Sequence, residues 1–297
     1  MKDRGLRFRV MDGLLIAMMI LPLVAGMVLQ ILTEPVSEGV SITGARIFLE
    51  VPMPVMDMPI TEAQVNTWLV MIAITGVCLF LTHGIRENRG GFRQMAAEWI
   101  VEKLDGLVKG NMDPIFHSTY APFVGAIMAL SVFSSLMTLV GLFPPTSDLN
   151  IIGGWAILVF ILITKNKLKA GLGYYLKGFV EPIPVMLPMN LISEIATPVS
   201  MTFRHFGNVL SGTVISALVA WALAGASNAL LGWLPGFLGN IPFLQIGLPA
   251  VLSVYFDVFS GCIQAFIFAM LTMLYISGGY PADEIASRRQ PKPAEAK

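Results

Sequence analysis

The chain has 297 residues, of which 55% are hydrophobic and 13% charged, and its formal net charge is zero. Water-soluble domains carry about 25% charged residues, so this composition excludes an ordinary soluble protein and predicts a surface that faces lipid. The zero net charge gives no basic field that would attract nucleic acid. The two cysteines, Cys78 and Cys262, lie in apolar runs, which argues against a disulfide scaffold or a cysteine metal site.

Six stretches are long and apolar enough to cross a bilayer, which takes about 20 residues per helix. They lie near residues 12–33, 66–83, 122–143, 151–164, 189–228 and 247–277. The first exceeds the roughly 7–15 residues of a signal-peptide core, so we expect it to be a retained span. As one helix, the fifth would be about 58 Å long from Asn190 to Asn228, so it must kink, tilt steeply or fold back.

Between these stretches the charged residues alternate by connection. The connection 34–64 carries one basic residue, Arg46, against five acidic ones. The basic connections contain Lys2, Arg4, Arg7 and Arg9; Arg86, Arg89, Arg93, Lys103 and Lys109; Lys165, Lys167, Lys169 and Lys177; and Arg288, Arg289, Lys292 and Lys297. The positive-inside rule assigns the basic connections to the cytoplasm, which predicts six spans with both termini cytoplasmic in a bacterial inner membrane.

One connection has a helical pattern of its own. In residues 91–109, apolar side chains recur at intervals of three and four while acidic and basic ones occupy the other faces. This predicts an amphipathic helix that lies at the membrane interface or docks a partner. The prolines at 182, 184 and 188 predict a non-helical segment before the fifth span, which can begin as a helix near Asn190. The tail from Pro281 is polar and rich in proline, which favours disorder.

Signatures of soluble enzymes are missing from the sequence. No Gly-Lys pair occurs, so no P-loop can form, and neither H-E-x-x-H nor G-x-S-x-G is present. The three histidines, His83, His117 and His205, are scattered. We therefore expect no nucleotide site, metal site or cofactor, and no enzymatic activity of the chain by itself.

The candidate functional residues are ionisable groups within the last two spans. These are Glu194, Arg204, His205 and Asp257. A charge at the bilayer centre costs about 2.5–3.5 kcal/mol on insertion scales, so retaining several predicts a water-filled path or a partner surface. We expect Arg204 to be a buried charge on which ion translocation depends.

Spacing places these residues on two polar helix faces. The first contains Ser193, Thr197, Ser200, Arg204, Asn208 and Ser211, and the second contains Ser253, Asp257, Ser260, Gly261 and Gln264. Gly207 and Gly212 leave room for a helix to approach the first face closely. Together the two faces could line an aqueous cleft. The alternative is a structural ion pair between Arg204 and Asp257. For His205 a hydrogen bond to a neighbour, and for Glu194 solvation at the interface, are equally open.

Several motifs resemble a known family. The segment P-V-S-M-T-F-R-H-F-G-N, residues 198–208, resembles the signature of F-type ATP synthase subunit a, and so does Q-A-F-I-F at 264–268 with L-T-M-L-Y at 271–275. Three more stretches fit the family pattern: E-W-I-V-E at 98–102, P-P-T-S-D-L-N at 144–150, and K-x-F-x-E-P at 177–182. The resemblance runs in order from about residue 62 to 277, and its motifs together are highly specific.

The resemblance implies a fold and a set of partners. The fold is an all-α polytopic membrane protein with about six membrane-embedded segments, one amphipathic surface helix and a long tilted two-helix hairpin near the C-terminus. Residues 1–61 would be an additional helix and external segment, 62–277 the family core, and 278–297 a cytoplasmic tail. The implied partners are the ring of subunit c, the peripheral stalk of subunit b and the remainder of the ATP synthase.

The resemblance also implies roles for individual residues. Two offset half-channels would carry ions, with protons as the first expectation and sodium left open, to a carboxylate on each ring subunit. Arg204 matches the family's essential arginine, which attracts that carboxylate and blocks leakage, while Asn208 and Gln264 match polar positions beside the path. The small residues Gly207, Ser211 and Gly212 would pack against the ring.

Three positions depart from the family pattern. His205 stands where leucine is usual, Thr213 where glutamate is common, and Asp257 where histidine or glutamate is common. We therefore hypothesise that Asp257, with His205 as a possible helper, supplies the titratable group that Thr213 cannot. The competing function is a stand-alone secondary transporter with Arg204 as an ion or substrate clamp, but its expected inverted repeats and paired broken helices are missing.

Overall fold

A computed structural model describes residues 2–33, 44–54, 57–85, 91–181, 183–231, 244 and 247–279. Helices dominate it, with one short antiparallel hairpin. The helices are α1 Lys2–Thr33, α2 Glu62–Thr82, α3 Phe92–Asn111, α4 His117–Leu136, α5 Leu149–Lys167, α6 Leu172–Val180, α7 Leu187–Leu231, α8 Leu248–Ser253 and α9 Gly261–Gly278. The strands are β1 Ile47–Val51 and β2 Met58–Thr61. A π-helical turn, Val254–Ser260, joins α8 to α9, and we call the three together the last span.

The six spans predicted from hydropathy are confirmed as helices of sufficient length and apolarity to cross a membrane. They are Phe8–Thr33, Glu62–Thr82, Pro114–Val140, Leu149–Lys167, Pro184–Leu230 and Leu248–Gly278. The amphipathic surface helix is confirmed as α3. Its second half packs Leu104 and Leu107 against the core, while Trp99 is 60% exposed. Gly125 of α4 makes the docking possible, because a Cβ there would lie 2.5 Å from the Leu104 side chain.

The N-terminal helix packs along α2 at very short range. A Cβ added to Gly76 would lie 3.2 Å from the backbone nitrogen of Met19, so the glycine sets how closely the two helices approach. At the opposite end of this contact, Asp12 accepts two hydrogen bonds from Arg93 of α3, at 2.8 and 3.0 Å. His83 Nδ1 lies 3.2 Å from the same carboxylate. An extra helix with few buried residues of its own is thus held by close approaches to α2 at Gly76 and Gly26 and by one charged cluster.

The core lies among α3, α4, α5, α7 and α9. Its fully buried side chains include Phe116, Val124, Val159, Phe268 and Met273. Because lipid tails are as apolar as these residues, close packing and interhelical hydrogen bonds hold the bundle, each such bond contributing about 0.6 kcal/mol. Tyr120 and Asn166 provide one such bond between α4 and α5, at 3.0–3.3 Å. This scaffold fixes the positions of α7 and the last span.

The fifth span is one continuous helix, α7, so the alternative that it folds back on itself is wrong. Its 45 residues give a length of about 68 Å, more than twice the roughly 30 Å hydrocarbon core, so a kink or a steep tilt in the membrane stays the prediction. The chain is extended at Glu181 and Ile183 before α7 begins at Leu187. The helix then pairs with the last span as the predicted two-helix hairpin.

Besides helix α6, two features of the described chain have no counterpart in the sequence-based predictions. The first is the β-hairpin, in which Val51 pairs with Met58 and which passes directly into α2 through a capping box between Thr61 and Gln64. The second is the π-helical turn in the last span. The tail from Pro281, predicted to be disordered, lies outside the described residues.

Candidate functional site

Arg204 lies on the exposed face of α7 rather than inside the bundle. The expected burial of this charge is not seen within the described part of the chain, where no other element covers this face. Among the described residues its guanidinium has no hydrogen bond and no ion pair, and no salt bridge joins it to Asp257. The neighbouring Phe203 is 57% exposed. An unpaired arginine in apolar surroundings within a span points to an interaction with another chain.

Small residues adjoin Arg204 on the same side of the helix. Gly207 has open space where a Cβ would stand, and Ser211 is exposed, so another helix could approach here closely. Gly212 behaves differently. It is buried, and a Cβ there would meet Phe256 at 3.1 Å, so its close contact is with the last span of the same chain. The contact observed is this internal one, and its contact with the ring stays a prediction.

The two predicted polar faces meet at one point. Ser260 Oγ donates a hydrogen bond to Asn208 Oδ1 at 2.8 Å, which joins α7 to the last span. Beside it, Asn208 and Asp257 line a small pocket, together with Ser135 and Thr138 of the third span. We call this the Asp257 pocket. Its volume of about 10 Å³ is close to the space that one water molecule needs.

The π-helical turn explains how Asp257 reaches this pocket. Two glycines frame the turn: Gly212 approaches Phe256 from α7, and Gly261 approaches Ser135 so closely that a Cβ would lie 2.6 Å from it. Between these contacts the wider π turn changes the direction of the side chains relative to an α-helix, a feature common at functional sites. Asp257 is half-buried as a result.

A second polar pocket lies near the start of α7. Lys167 at the end of α5 forms an ion pair with Glu194, with Nζ–O distances of 2.6 and 2.8 Å, and Thr197 lines the same cavity of about 280 Å³. We call it the Glu194 pocket. The Tyr175 hydroxyl lies 3.5 Å from the Glu194 carboxylate. Burial, and secondarily the Glu194 charge, raise the pKa of the Tyr175 phenol, so it remains a hydrogen-bond donor.

Arg204 lies between these two pockets along α7. It follows Thr197 by seven residues, about 10 Å along the helix, and precedes Asn208 by four, about 6 Å. The Glu194 and Asp257 pockets have no lining residue in common. The arrangement therefore provides two separate polar sites with a fixed positive charge between them.

Gln264 and Thr213 differ in what their side chains contact. Gln264 is buried at the start of α9, one turn after Ser260, and within the described chain its side-chain amide has no hydrogen-bond partner. Thr213 donates its hydroxyl to the Leu210 carbonyl of its own helix at 2.9 Å. The Thr213 hydroxyl is thus already bonded within its own helix. The titratable residue that lines the Asp257 pocket is Asp257 itself.

His205 does not line the Asp257 pocket, so the hypothesis that it assists Asp257 gains no support from its contacts. Its side chain is fully buried, and its Nε2 lies 3.3 Å from Ser131 Oγ. The ring packs against Trp155 and Phe268, and its Nδ1 is buried without a partner among the described residues. One residue along a helix is a rotation of about 100°, so Arg204 and His205 face different sides. The alternative of a local hydrogen bond is the one observed.

Replacing His205 by leucine should therefore leave ATP-driven ion pumping within about twofold of the parent. Leucine removes a buried nitrogen that has no partner, a change that is often neutral or stabilising. The measurement is pumping in inside-out membrane vesicles, with Ser131→Ala combined with His205→Leu as the control for the orphaned serine hydroxyl. A loss greater than tenfold in an assembled complex would place His205 on the ion path after all.

The sequence missed several members of these sites. The sequence marks Lys167 as part of a basic connection, but it does not show that this residue forms an ion pair with Glu194. Ser135 and Thr138 come from the third span, and no charge there marked them as pocket residues. Ser260 could be found from its spacing, whereas the residues across the interface could not be identified without the packing of α4 against the last span.

Comparison with known proteins identifies the family of this chain. The family model described as "ATP synthase A chain" matches residues 64–277. A relative from Legionella pneumophila strain Paris, "ATP synthase subunit a", is 29% identical over 233 residues, which cover 78% of this chain and 91% of that protein. "ATP synthase subunit a 2" of Bradyrhizobium sp. strain BTAi1 is 32% identical over 73% of this chain and 87% of its own length.

A third relative bears a name that specifies an ion. The protein from Propionigenium modestum is described as "ATP synthase subunit a, sodium ion specific", and it is 28% identical over 83% of this chain and 86% of its own length. The family match covers well over half of the chain, and it includes Arg204 and the whole lining of the Asp257 pocket. The chain is a multi-pass bacterial membrane protein of the ATP synthase A chain family, and hence a subunit of the membrane sector of the F-type ATP synthase.

Proposed function

We propose that this chain is the stator subunit that provides two ion half-channels against a rotating ring of subunit c. The observation that carries the proposal is the position of Arg204, exposed and unpaired between two separate polar pockets. A stand-alone transporter would need one site that opens to each side in turn. Two separate pockets with a charge between them favour a path that another molecule must complete.

The missing part of the path is a carboxylate on the ring. An unpaired guanidinium that faces apolar surroundings needs an anionic partner, and a carboxylate on a passing ring helix would supply it. Gly207 and Ser211 lie within two turns of Arg204, and these small residues project little from the helix surface. A ring helix could therefore come within contact distance of α7. Arginine suits this position because its pKa above 12 prevents it from carrying the proton itself.

Each pocket then serves one half-channel. In the Asp257 pocket, Asp257 exchanges the proton, and Asn208 and Gln264 stabilise the water beside it or the ring carboxylate. In the second, Glu194 and its partner Lys167 line the access to the opposite side of the membrane. An ion cannot pass directly between the pockets because Arg204 repels it. It must bind to the ring, travel with its rotation and leave by the other pocket, which couples ion flow to rotation and ATP synthesis.

The orientation follows from which span ends meet. Lys167, Glu194 and Gly279 line one pocket, so these three span ends lie on one side of the membrane. Lys167 belongs to a basic connection, which supports a cytoplasmic location for that side under the positive-inside rule and, with six spans, for both termini. The exposed half of α3, with Trp99, then lies at the cytoplasmic interface, where the peripheral stalk of subunit b would approach.

Co-purification combined with reconstitution tests this function. A tagged chain extracted from its own membrane in mild detergent should bring with it a ring of small two-helix proteins and a soluble ATPase. The reconstituted complex should acidify inside-out liposomes when ATP is added, and the chain alone should transport nothing. Repeating the assay with and without sodium identifies the ion. Concentrative uptake by the purified chain alone would overturn the proposal in favour of a secondary transporter.

A further inference from the structure

A third polar pocket lies where the N-terminal helix meets the rest of the protein. Its volume is about 200 Å³, and its lining includes Gln30 of α1, Gly44, Arg46 and Glu62. The remaining wall is Thr138, near the end of the third span, and the turn that follows this span, residues 141–143. We call it the Glu62 pocket. All four named residues precede the segment 64–277 that matches the family model, and the proposed function gives them no role.

The Glu62 pocket has a charged lining. Arg46 Nε lies 3.2 Å from Glu62 Oε2, and the Glu62 side chain is only 5% exposed. The backbone N–H of Glu62 also donates to the Arg46 carbonyl at 2.7 Å. One guanidinium nitrogen, Arg46 Nη1, is buried with no hydrogen-bond partner in the described part of the chain. A buried donor of this kind is normally satisfied by water, so the pocket has the chemistry of a hydrated cavity.

The wall formed by the turn is held in place. Asn66 of α2 donates from Nδ2 to the Phe143 carbonyl at 2.8 Å, and the Asn66 side chain is buried. Gly141 has a φ of 80°, a conformation that glycine adopts without strain. The turn is therefore shaped by specific contacts, so the pocket does not depend on loosely packed side chains.

Thr138 connects this pocket to the one at Asp257. It is the one described residue that lines both cavities. In the described chain its hydroxyl makes no hydrogen bond with another protein group, which leaves it free to bind water. One turn earlier, Ser135 lines the Asp257 pocket. A polar surface thus runs from Glu62 past Thr138 to Asp257.

We propose that the Glu62 pocket is the outer mouth of the ion path that ends at Asp257, and that the N-terminal unit of α1 and the β-hairpin builds it. The occupant is a hydrated monovalent cation, hydronium or sodium. Glu62 attracts it, while Arg46 occupies one side of the carboxylate and keeps the binding weak enough for release, as conduction requires. The inference rests on the proposed function, because it needs Asp257 to be the end of a half-channel.

A purely structural role for the Arg46–Glu62 pair, fastening the hairpin to α2, makes a different prediction about access. The test uses a Cys78→Ala, Cys262→Ala background, since both native cysteines are exposed, with Thr138→Cys added. Two methanethiosulfonates of similar size, one a quaternary ammonium and one a sulfonate, are applied to intact complexes in sealed vesicles from either side. Modification rates and the loss of pumping relative to the same unmodified sample are measured.

The expected result has three parts. Both reagents modify the Thr138→Cys variant only from the side of the 34–64 connection, and modification blocks pumping. The cationic reagent reacts faster by about tenfold, the effect of one charge a few ångströms away in a partly hydrated site. Glu62→Gln leaves the Arg46 charge without its partner and therefore abolishes or reverses this preference, whereas Glu50→Gln, at an exposed position in the same connection, leaves it unchanged.

Other outcomes overturn the proposal. Lack of reaction from that side, or equal effects of Glu62→Gln and Glu50→Gln, would leave the pair as a structural fastening. If the Thr138→Cys variant does not assemble, Gln30→Cys at the rim of the pocket reports the same charge preference. Failure of this inference can be told apart from failure of the proposed function. An unreactive Thr138→Cys variant in a complex that still pumps rejects only the role of the Glu62 pocket as the mouth. Retained pumping in an Arg204→Ala complex rejects the half-channels themselves.

Discussion

Replacing Arg204 by alanine is expected to abolish ATP-driven ion pumping, with at least a thousandfold loss. The attraction between a guanidinium and a carboxylate about 4 Å apart is about 4 kcal/mol at an effective dielectric constant of 20, and it corresponds to about three factors of ten. Under the proposed function, the variant offers the ring carboxylate no fixed charge against which to release its proton, and no charge separates the Glu194 and Asp257 pockets. The measurement is pumping in inside-out vesicles together with passive proton permeability.

Two controls make the Arg204→Ala result interpretable. ATP hydrolysis by the detached soluble sector should be unchanged, since that sector does not contain this chain. Val199→Ala alters an exposed apolar residue of the same helix and should retain both assembly and pumping. Coupled transport retained by Arg204→Ala at more than a few per cent of the parent rate would contradict the proposed function.

Replacing Asp257 by asparagine should reduce pumping by roughly one to two factors of ten. Asparagine has nearly the same shape but cannot exchange a proton, and a positioned acid or base commonly contributes about 10²–10⁴ to a transfer step. No other titratable side chain lines this pocket among the described residues. Part of the flux can still pass through water, so the loss should be smaller than at Arg204. The measurements are the rate of ATP-driven pumping and the rate of ATP synthesis driven by an imposed ion gradient, each at several sizes of that gradient.

Thr213→Val is the matched control for Asp257→Asn. Thr213 stands at the position where glutamate is common in the family, but its hydroxyl is already bonded to the Leu210 carbonyl, so its loss should change pumping less than twofold. Asp257→Glu should recover part of the activity. If Asp257→Asn pumped at the parent rate, the outer half-channel would have to use a different proton carrier, and Asp257 would be a structural residue.

Hydropathy predicted the spans well because the bilayer imposes a length that few local interactions can override. Each predicted stretch corresponds to a helix, and α7 begins within three residues of the predicted Asn190. The two polar faces were also predictable, since helical periodicity places Asn208 and Ser260 on the faces of their helices that later meet. These are properties of one element at a time.

The features that were not predictable depend on contacts between elements. His205 follows Arg204 by one residue, and the sequence cannot show which of the two faces the core. The π-helical turn has no sequence signal, because it depends on Gly212 and Gly261 meeting Phe256 and Ser135. The Glu194–Lys167 pair joins residues 27 positions apart. Such pairings are decided by how helices cross, and no local pattern records that.

The cluster of Asp12, His83 and Arg93 has a consequence for biogenesis. Arg93 lies 81 residues after Asp12, so at about 5–20 residues per second the first span waits about 4–16 s for its charged partner to be synthesised. During this time Asp12 must stay near the membrane surface, and α1 can settle fully only after α2 and α3 have followed it. Substitution of Arg93 should therefore shorten the cellular lifetime of newly made chains, whereas the complexes that do assemble should turn over normally.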